Sequence, residues 1–331
     1  MKKILLTLPV LALALCACTT ELDYISDRDS ELIVLNASLR TDRTDHVVWL
    51  SKSRADGIVK LSDARLRCYI NGKLVAEAEE AETNPTESAS RYLFSAQIQP
   101  GDEVRLEASQ GALKASATAV APRPATLAGI DTVSIARSPY YSVGNYDCPA
   151  LSCKLRLQDL PNQPNWYRLF VRYEEYETEH PEYLNECSIE FGFNRDPILS
   201  EGKLPSLKEN AFQELLAALS GVNTYCKFRD TEFADKTAEV EIQIRNTEFE
   251  HFIHAYYEPE GGLPLREKNL YFDFITISKE EYDYLVQYEK AHSGSGLDIL
   301  EEPVHIPSNV EGGMGFLTVS SVSSRAIRLG D

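Results

Sequence analysis

The sequence predicts a mostly β protein, with an N-terminal immunoglobulin-like β-sandwich over 32–122 and a larger β-rich domain over 126–331 that carries a few short helices. Three observations predict it. Between Leu32 and Ala119, apolar residues alternate with polar ones over successive short runs, which is the period of half-buried strands. Turn residues break these runs about every ten residues, with no helical period between them. Pro122-Arg123-Pro124 then stiffens the chain and marks the boundary before a segment of mixed pattern.

Ahead of the first strand, Met1-Lys2-Lys3 is a basic head, and Ile4 to Leu15 is an apolar run too short to span a bilayer as a lasting helix. Signal peptidase needs a small residue before the cut; Ala17 before Cys18 meets that need, and Leu15 before Cys16 does not. Residues 1–17 therefore read as a signal peptide ending in a lipobox, with Cys18 as the lipidated, palmitate-bearing residue. Acyl chains on Cys18 would bury methylenes at roughly 0.8 kcal/mol each, so several chains together hold a soluble domain at a membrane. The polar, aperiodic stretch 18–31 reads as the tether between lipid and fold.

The formal charge is −18, and such a surface repels the phosphates of nucleic acid and anionic headgroups, so no nucleic-acid partner is expected. Seven cysteines are present. Removing Cys16 and committing Cys18 to lipid leaves Cys68, Cys148, Cys153, Cys187 and Cys226, an odd set whose pairing the spacing leaves open. Cys148–Cys153 is the nearest pair and Cys187–Cys226 the next. Cys68 alternates with Leu66 and Ile70 and reads as a buried thiol.

Ile33, Leu35, Ala37 and Leu39 share one face of the first strand, and Val47 to Leu50 forms a second run. Leu66, Cys68 and Ile70 lead into Asn71-Gly72, a pair that tolerates positive φ and so closes a tight hairpin into Lys73 to Ala76. Glu79 to Ser90 reads as an exposed loop, Tyr92 to Ala96 as a strand, and Pro100-Gly101-Asp102 as a turn. Val104, Leu106 and Ala108, then Leu113, Ala115, Ala117 and Ala119, mark two further strands around Gly111. In the second half, Val133 and Ile135 begin a strand, and Cys153, Leu155 and Leu157 mark another. Trp166 to Tyr176 is a long aromatic strand, Val240, Ile242 and Ile244 alternate, and Leu270 to Ile277 is apolar on both faces, hence central. Helical spacing marks 207–219. A second helix over 279–291 opens on Ser278-Lys279-Glu280-Glu281, a capping box in which Ser278 and Glu281 satisfy each other's amides. Pro303 to Ile306, the Gly312-Gly313-Met314-Gly315 turn and Phe316 to Ser320 read as a closing strand, a turn and its partner. Ala326 to Leu329 reads as one more short strand.

Chemistry is sparse. His251 and His254 would share a face only on a helix, and they read as surface or packed histidines, with no metal expected. No Gly-x-Ser-x-Gly elbow or His-Glu-x-x-His helix is present, so no catalytic residues and no cofactor are expected. Tyr140, Tyr141 and Tyr146 crowd one loop and are the expected binding patch, the alternative being that they fill a seam between domains.

Taken in order, these features resemble the Bacteroidota outer-membrane lipoproteins grouped as domain of unknown function family 4249. The likeness rests on the lipobox cysteine, Glu31-Leu32-Ile33-Val34-Leu35-Asn36, Ser62-Asp63-Ala64, Pro100-Gly101-Asp102, Val120-Ala121-Pro122 and Tyr282-Asp283-Tyr284-Leu285. Its most specific part is Glu302-Pro303-Val304 followed by Ser308-Asn309-Val310-Glu311-Gly312-Gly313-Met314-Gly315-Phe316. The resemblance implies an outer-membrane, lipid-anchored protein with no established enzymatic activity, often encoded beside a TonB-dependent transporter, which is the expected partner. Glu21 and Asp23, close behind Cys18, match the acidic residues that such lipoproteins carry when they face the cell exterior. The alternative reading is an adhesin or fimbria-like surface subunit.

Overall fold

The computed structural model describes residues 31–54, 57–80, 87–138, 149–177, 180–201, 223–245, 266–292 and 305–329. The first eight strands are β1 (Leu32–Arg40), β2 (Asp45–Arg54), β3 (Gly57–Lys60), β4 (Arg65–Ile70), β5 (Lys73–Glu80), β6 (Ser90–Ser95), β7 (Glu103–Gln110) and β8 (Leu113–Val120). Alternation decides what each buries. In β1, Ile33, Leu35 and Leu39 are fully buried, each worth about 2 kcal/mol, while Asn36 and Ser38 between them point outward. The β4–β5 hairpin turns at Asn71 and Gly72, both with positive φ (50° and 76°), and Cys68 is a buried thiol.

The later strands are β9 (Thr126–Ile135), β10 (Ala150–Gln158), β11 (Trp166–Glu177), β12 (His180–Ser188), β13 (Lys227–Arg229), β14 (Thr237–Arg245), β15 (Arg266–Ile277), β16 (Val310–Glu311) and β17 (Gly313–Arg328). One α-helix, α1 (Lys279–His292), follows β15. It is not long and apolar enough to cross a membrane, nor is any other helix among the described residues. The fold is mostly β and sandwich-like.

The described strands form two sheets. The large one runs β12-β11-β15-β17-β1-β2-β6-β5-β4-β7-β8-β16, with β13 on β11 and β3 on β2, and the small one runs β14-β10-β9. The large sheet folds over at β5, so that β17, β1, β2 and β6 face β4, β7 and β8 across one core that includes Leu35, Leu50, Leu66, Leu106 and Leu317. A second core, with Leu155, Tyr167, Val171, Ile242, Phe272 and Phe274, lies between the small sheet and β11 and β15. β17 serves both regions: Gly313 to Ser320 pairs in parallel with β1, and Ser321 to Arg328 pairs antiparallel with β15. The segment joining them is pinned to the sheet, since Pro122 O accepts from Ser321 Oγ (2.6 Å), Ala125 N donates to Thr276 Oγ1 (2.9 Å) and Leu127 O accepts from Arg325 Nε (2.6 Å).

Several expectations need correction. Val133 and Ile135 end β9 rather than begin it; the strand starts at Thr126, anchored by buried Leu127, and Gly129 and Asp131 interrupt the apolar alternation that would have revealed it. His305 and Ile306 are not strand. Pro307 lacks a ladder donor, and the short strand forms at Val310–Glu311 on β8 instead. The turn is Gly312 alone, because Glu311 ends β16 and Gly313, Met314 and Gly315 already belong to β17. Ala326 to Leu329 adds no separate strand, since Ala326 to Arg328 continue β17. Glu281 N does donate to Ser278 Oγ (3.1 Å), but the Glu281 carboxylate turns away from the cap to Arg168 and Thr318. The Cys187–Cys226 bridge is not made, because Cys226 is a free thiol in the core.

Candidate functional site

Because the inward positions of β1, β2 and β17 are spent on the first core, the outward positions form a second surface, and α1 crosses it. Strand register lines up Phe316, Asn36, Trp49 and Arg91 as neighbours across β17, β1, β2 and β6. Between this surface and α1 lies a cleft of about 380 Å³, lined by Asn36, Ser38, Trp49, Phe316 and Thr318 from the sheet, Glu281 and Tyr284 from the helix, and Arg168 from β11. That size falls within the range of small-ligand sites. Trp49 remains 37 % exposed, with the Arg91 guanidinium 5.5 Å from its ring.

The helical wall is aromatic. Tyr284 stacks on Phe316 with centroids 4.3 Å apart and planes at 19°, and Tyr288 and His292 continue the row along α1. Spacing of four residues places these side chains on one helical face. At the helix start Glu281 is buried; Thr318 Oγ1 donates to its Oε2, and Arg168 Nη1 approaches Oε1 at 3.4 Å. Burial pushes the Glu281 carboxyl above the usual carboxylate range, against the opposing pull of Arg168 and Thr318. Arg168 also lies over the Tyr225 ring at 5.4 Å, and its Nε is buried without a hydrogen-bond partner among the described residues.

Two other polar clusters are structural. Asp273, fully buried on β15, accepts from Arg40 (3.0 Å), Arg172 (3.4 Å) and Ser324 (2.6 Å), and so ties β1, β11 and β17 to one carboxylate. Asn165 bridges Asp159 and Asp230, and Tyr167 Oη donates to Asp159, which locks the turn before β11.

Cys18, the Tyr140, Tyr141 and Tyr146 patch, His251 and His254, Cys148 and the 207–219 helix lie outside the described residues. The cleft could not be assembled from the sequence because its sheet residues read locally as outward strand positions, and Glu281 reads as a helix cap. One signal was available: Trp49 falls between Val48 and Leu50, both inward, so a large aromatic side chain had to face the polar side of β2.

The sequence motif ending in Phe316 has a structural meaning. Asn309 Nδ2 donates to Leu317 O (2.7 Å) and its Oδ1 accepts from Leu317 N (2.9 Å), while Asn36 Oδ1 accepts from Phe316 N (3.1 Å). Gly313 and Gly315 leave no room for a side chain beside β1, where an added Cβ would meet the Ile33 and Leu35 carbonyls at 2.5 and 2.1 Å. The motif therefore seats β17 against β1 and forms the cleft floor. No curated protein matches the chain with significant similarity. A family model does match, over residues 19–326, and the chain belongs to that family, the domain of unknown function DUF4249.

Proposed function

We propose that this protein is a non-enzymatic binding module, anchored at the outer membrane through lipid on Cys18, facing the cell exterior, and serving a TonB-dependent transporter as an accessory. The observation that carries the binding role is the cleft, in which an exposed Trp49 and the Tyr284–Phe316 stack wall a concave site on a rigid sheet. Several of its polar groups hold one another: Asn36 with Phe316, Thr318 with Glu281, and Glu281 with Arg168. That arrangement suits retention of a ligand rather than bond-making. The anchor rests on the basic head, the apolar run and Ala17-Cys18.

The fibre-subunit alternative draws less support. Exchange of strands between copies needs an unfilled position in the sandwich, and the place beside β1 is taken by the chain's own β17.

Metabolic palmitate labelling tests the anchor: label is expected on the wild type and absent from Cys18→Ala. Affinity purification from detergent-solubilised membranes tests the partner. Recovery of a TonB-dependent transporter is expected; repeated recovery without one, or an unlabelled wild type, overturns the reading.

A further inference from the structure

The geometry points to the ligand class of this cleft: a small molecule bearing a carboxylate on a flat apolar ring, the carboxylate held by Arg168 and the ring lying against Trp49. The inference rests on the proposed binding role and narrows it. It follows from which polar atoms remain uncommitted. Among the lining residues, the Asn36 carbonyl oxygen, the Thr318 hydroxyl proton and both Glu281 oxygens already have partners. What is left, among the described residues, is weighted towards donors: guanidinium N–H groups of Arg168 and the Asn36 amide nitrogen, with the Ser38 and Tyr284 hydroxyls able to donate or accept. Donors in excess favour a ligand rich in acceptors and poor in donors.

A carboxylate meets that need. The guanidinium has five donors in a planar fork and binds carboxylates bidentately, and its contact with Glu281, long at 3.4 Å, occupies only one of them. A pyranose would bring several hydroxyl donors into a cleft that offers more donors than acceptors, leaving some of them unpaired at a cost in affinity. Charge points the same way. A protein of net −18 repels anions in general, yet the cleft lining holds a guanidinium, Arg168, whose ion-pair partner among the described residues, the buried Glu281, has its charge weakened by burial. The apolar lining comes from Val47 and Leu285 and from three flat rings, Trp49 and the Tyr284–Phe316 stack, which suits an aromatic or planar ring.

The test uses the full chain in detergent micelles and ligand-observed NMR titration with three probes: phenylacetate, its neutral amide phenylacetamide, and methyl glucoside. Phenylacetate is expected to bind at least ten-fold more tightly than phenylacetamide, with methyl glucoside showing no saturable binding. Arg168→Gln should erase the preference for the acid over the amide. Trp49→Ala, at a partly exposed position outside the first core, should weaken acid and amide alike by five-fold or more, a readout independent of whether Arg168→Gln folds. Equal binding of acid and amide to the wild type overturns it, as does an undiminished preference in Arg168→Gln. Saturable, Trp49-dependent binding of methyl glucoside alone overturns the ligand class while leaving the cleft a binding site. Failure of all three probes overturns the ligand class, and transporter recovery then judges the accessory role separately.

Discussion

Gly315 lies so close to Leu35 that a Cβ added to it would sit 2.1 Å from the Leu35 carbonyl oxygen, and Gly315 itself holds φ at 112°. The contact joins the end of the chain to its first strand, because Gly315 and Leu35 are partners in the parallel β17–β1 ladder. Both the space and the dihedral exclude a side chain. Gly315→Ala is expected to cost about 3 kcal/mol or more, read as a fall in the urea midpoint, with Tyr284–Phe316 stacking lost in near-ultraviolet circular dichroism. An unchanged midpoint would show that β17 can shift without penalty.

Asn309 replaces a stretch of missing ladder by bonding both the N–H and the C=O of Leu317. Asn309→Ala leaves both backbone groups without that partner, at an expected loss of about 2 kcal/mol. Faster hydrogen exchange at Leu317 should accompany it, and exchange identical to wild type would contradict the clamp.

Asp273 is the only carboxylate that Arg40 and Arg172 share among the described residues. Removing its charge leaves two partly buried guanidinium groups facing each other. Asp273→Asn should therefore destabilise by about 3 kcal/mol, and adding Arg40→Met should restore part of the loss. Strictly additive effects in that double-mutant cycle would mean that the two residues do not interact energetically.

The pH dependence has two opposing contributions. Burial lowers the His46 imidazole below its ordinary value, only partly offset by the Ala96 carbonyl and by Asp45 and Asp42. A lowered folded value means that the contribution of His46 is complete above about pH 6.5 and is lost as pH falls through its folded value. Glu281 is shifted the other way, upward by burial. Its contribution is complete below the unfolded carboxyl value and is lost as pH rises through the folded one. Glu281→Gln should therefore gain relative to wild type on going from pH 4 to pH 8. Urea unfolding across that range measures it; a constant difference would show that Glu281 titrates alike in both states.

Burial also pushes the Cys68 and Cys153 thiols up to about 12. Thiolate is the reactive form, so neither residue should be alkylated by iodoacetamide at pH 8 in the folded protein, and both should react in 6 M guanidinium. Intact-mass analysis before and after denaturation reads the difference, and rapid modification of the native protein would place these thiols at the surface.

Much of the strand content was legible because the side-chain period of a strand is a local property. Ile33 to Leu39, Val104 to Ala108 and Cys153 to Leu157 each alternate in the sequence and bury the expected face. Asn71-Gly72 was legible for the same reason, since its φ values are set within the turn. β3, β12 and β13 were not: β3 is a mostly exposed edge strand, β12 is largely polar, and β13 is three residues long. The cleft was illegible because its floor and wall come from strands and a helix remote in the chain. Asn36 and Phe316, which share a hydrogen bond there, are 280 residues apart.

The order of residues by itself settled the fold class and the inward face of most strands, both of which depend on neighbours within a few positions. Only the tertiary structure decided that β17 closes against β1, that Glu281 turns from the helix cap to Arg168, and that Trp49 and Tyr284 border one cleft. Those outcomes depend on how distant segments share buried volume and satisfy each other's polar groups, and no local period encodes such pairings.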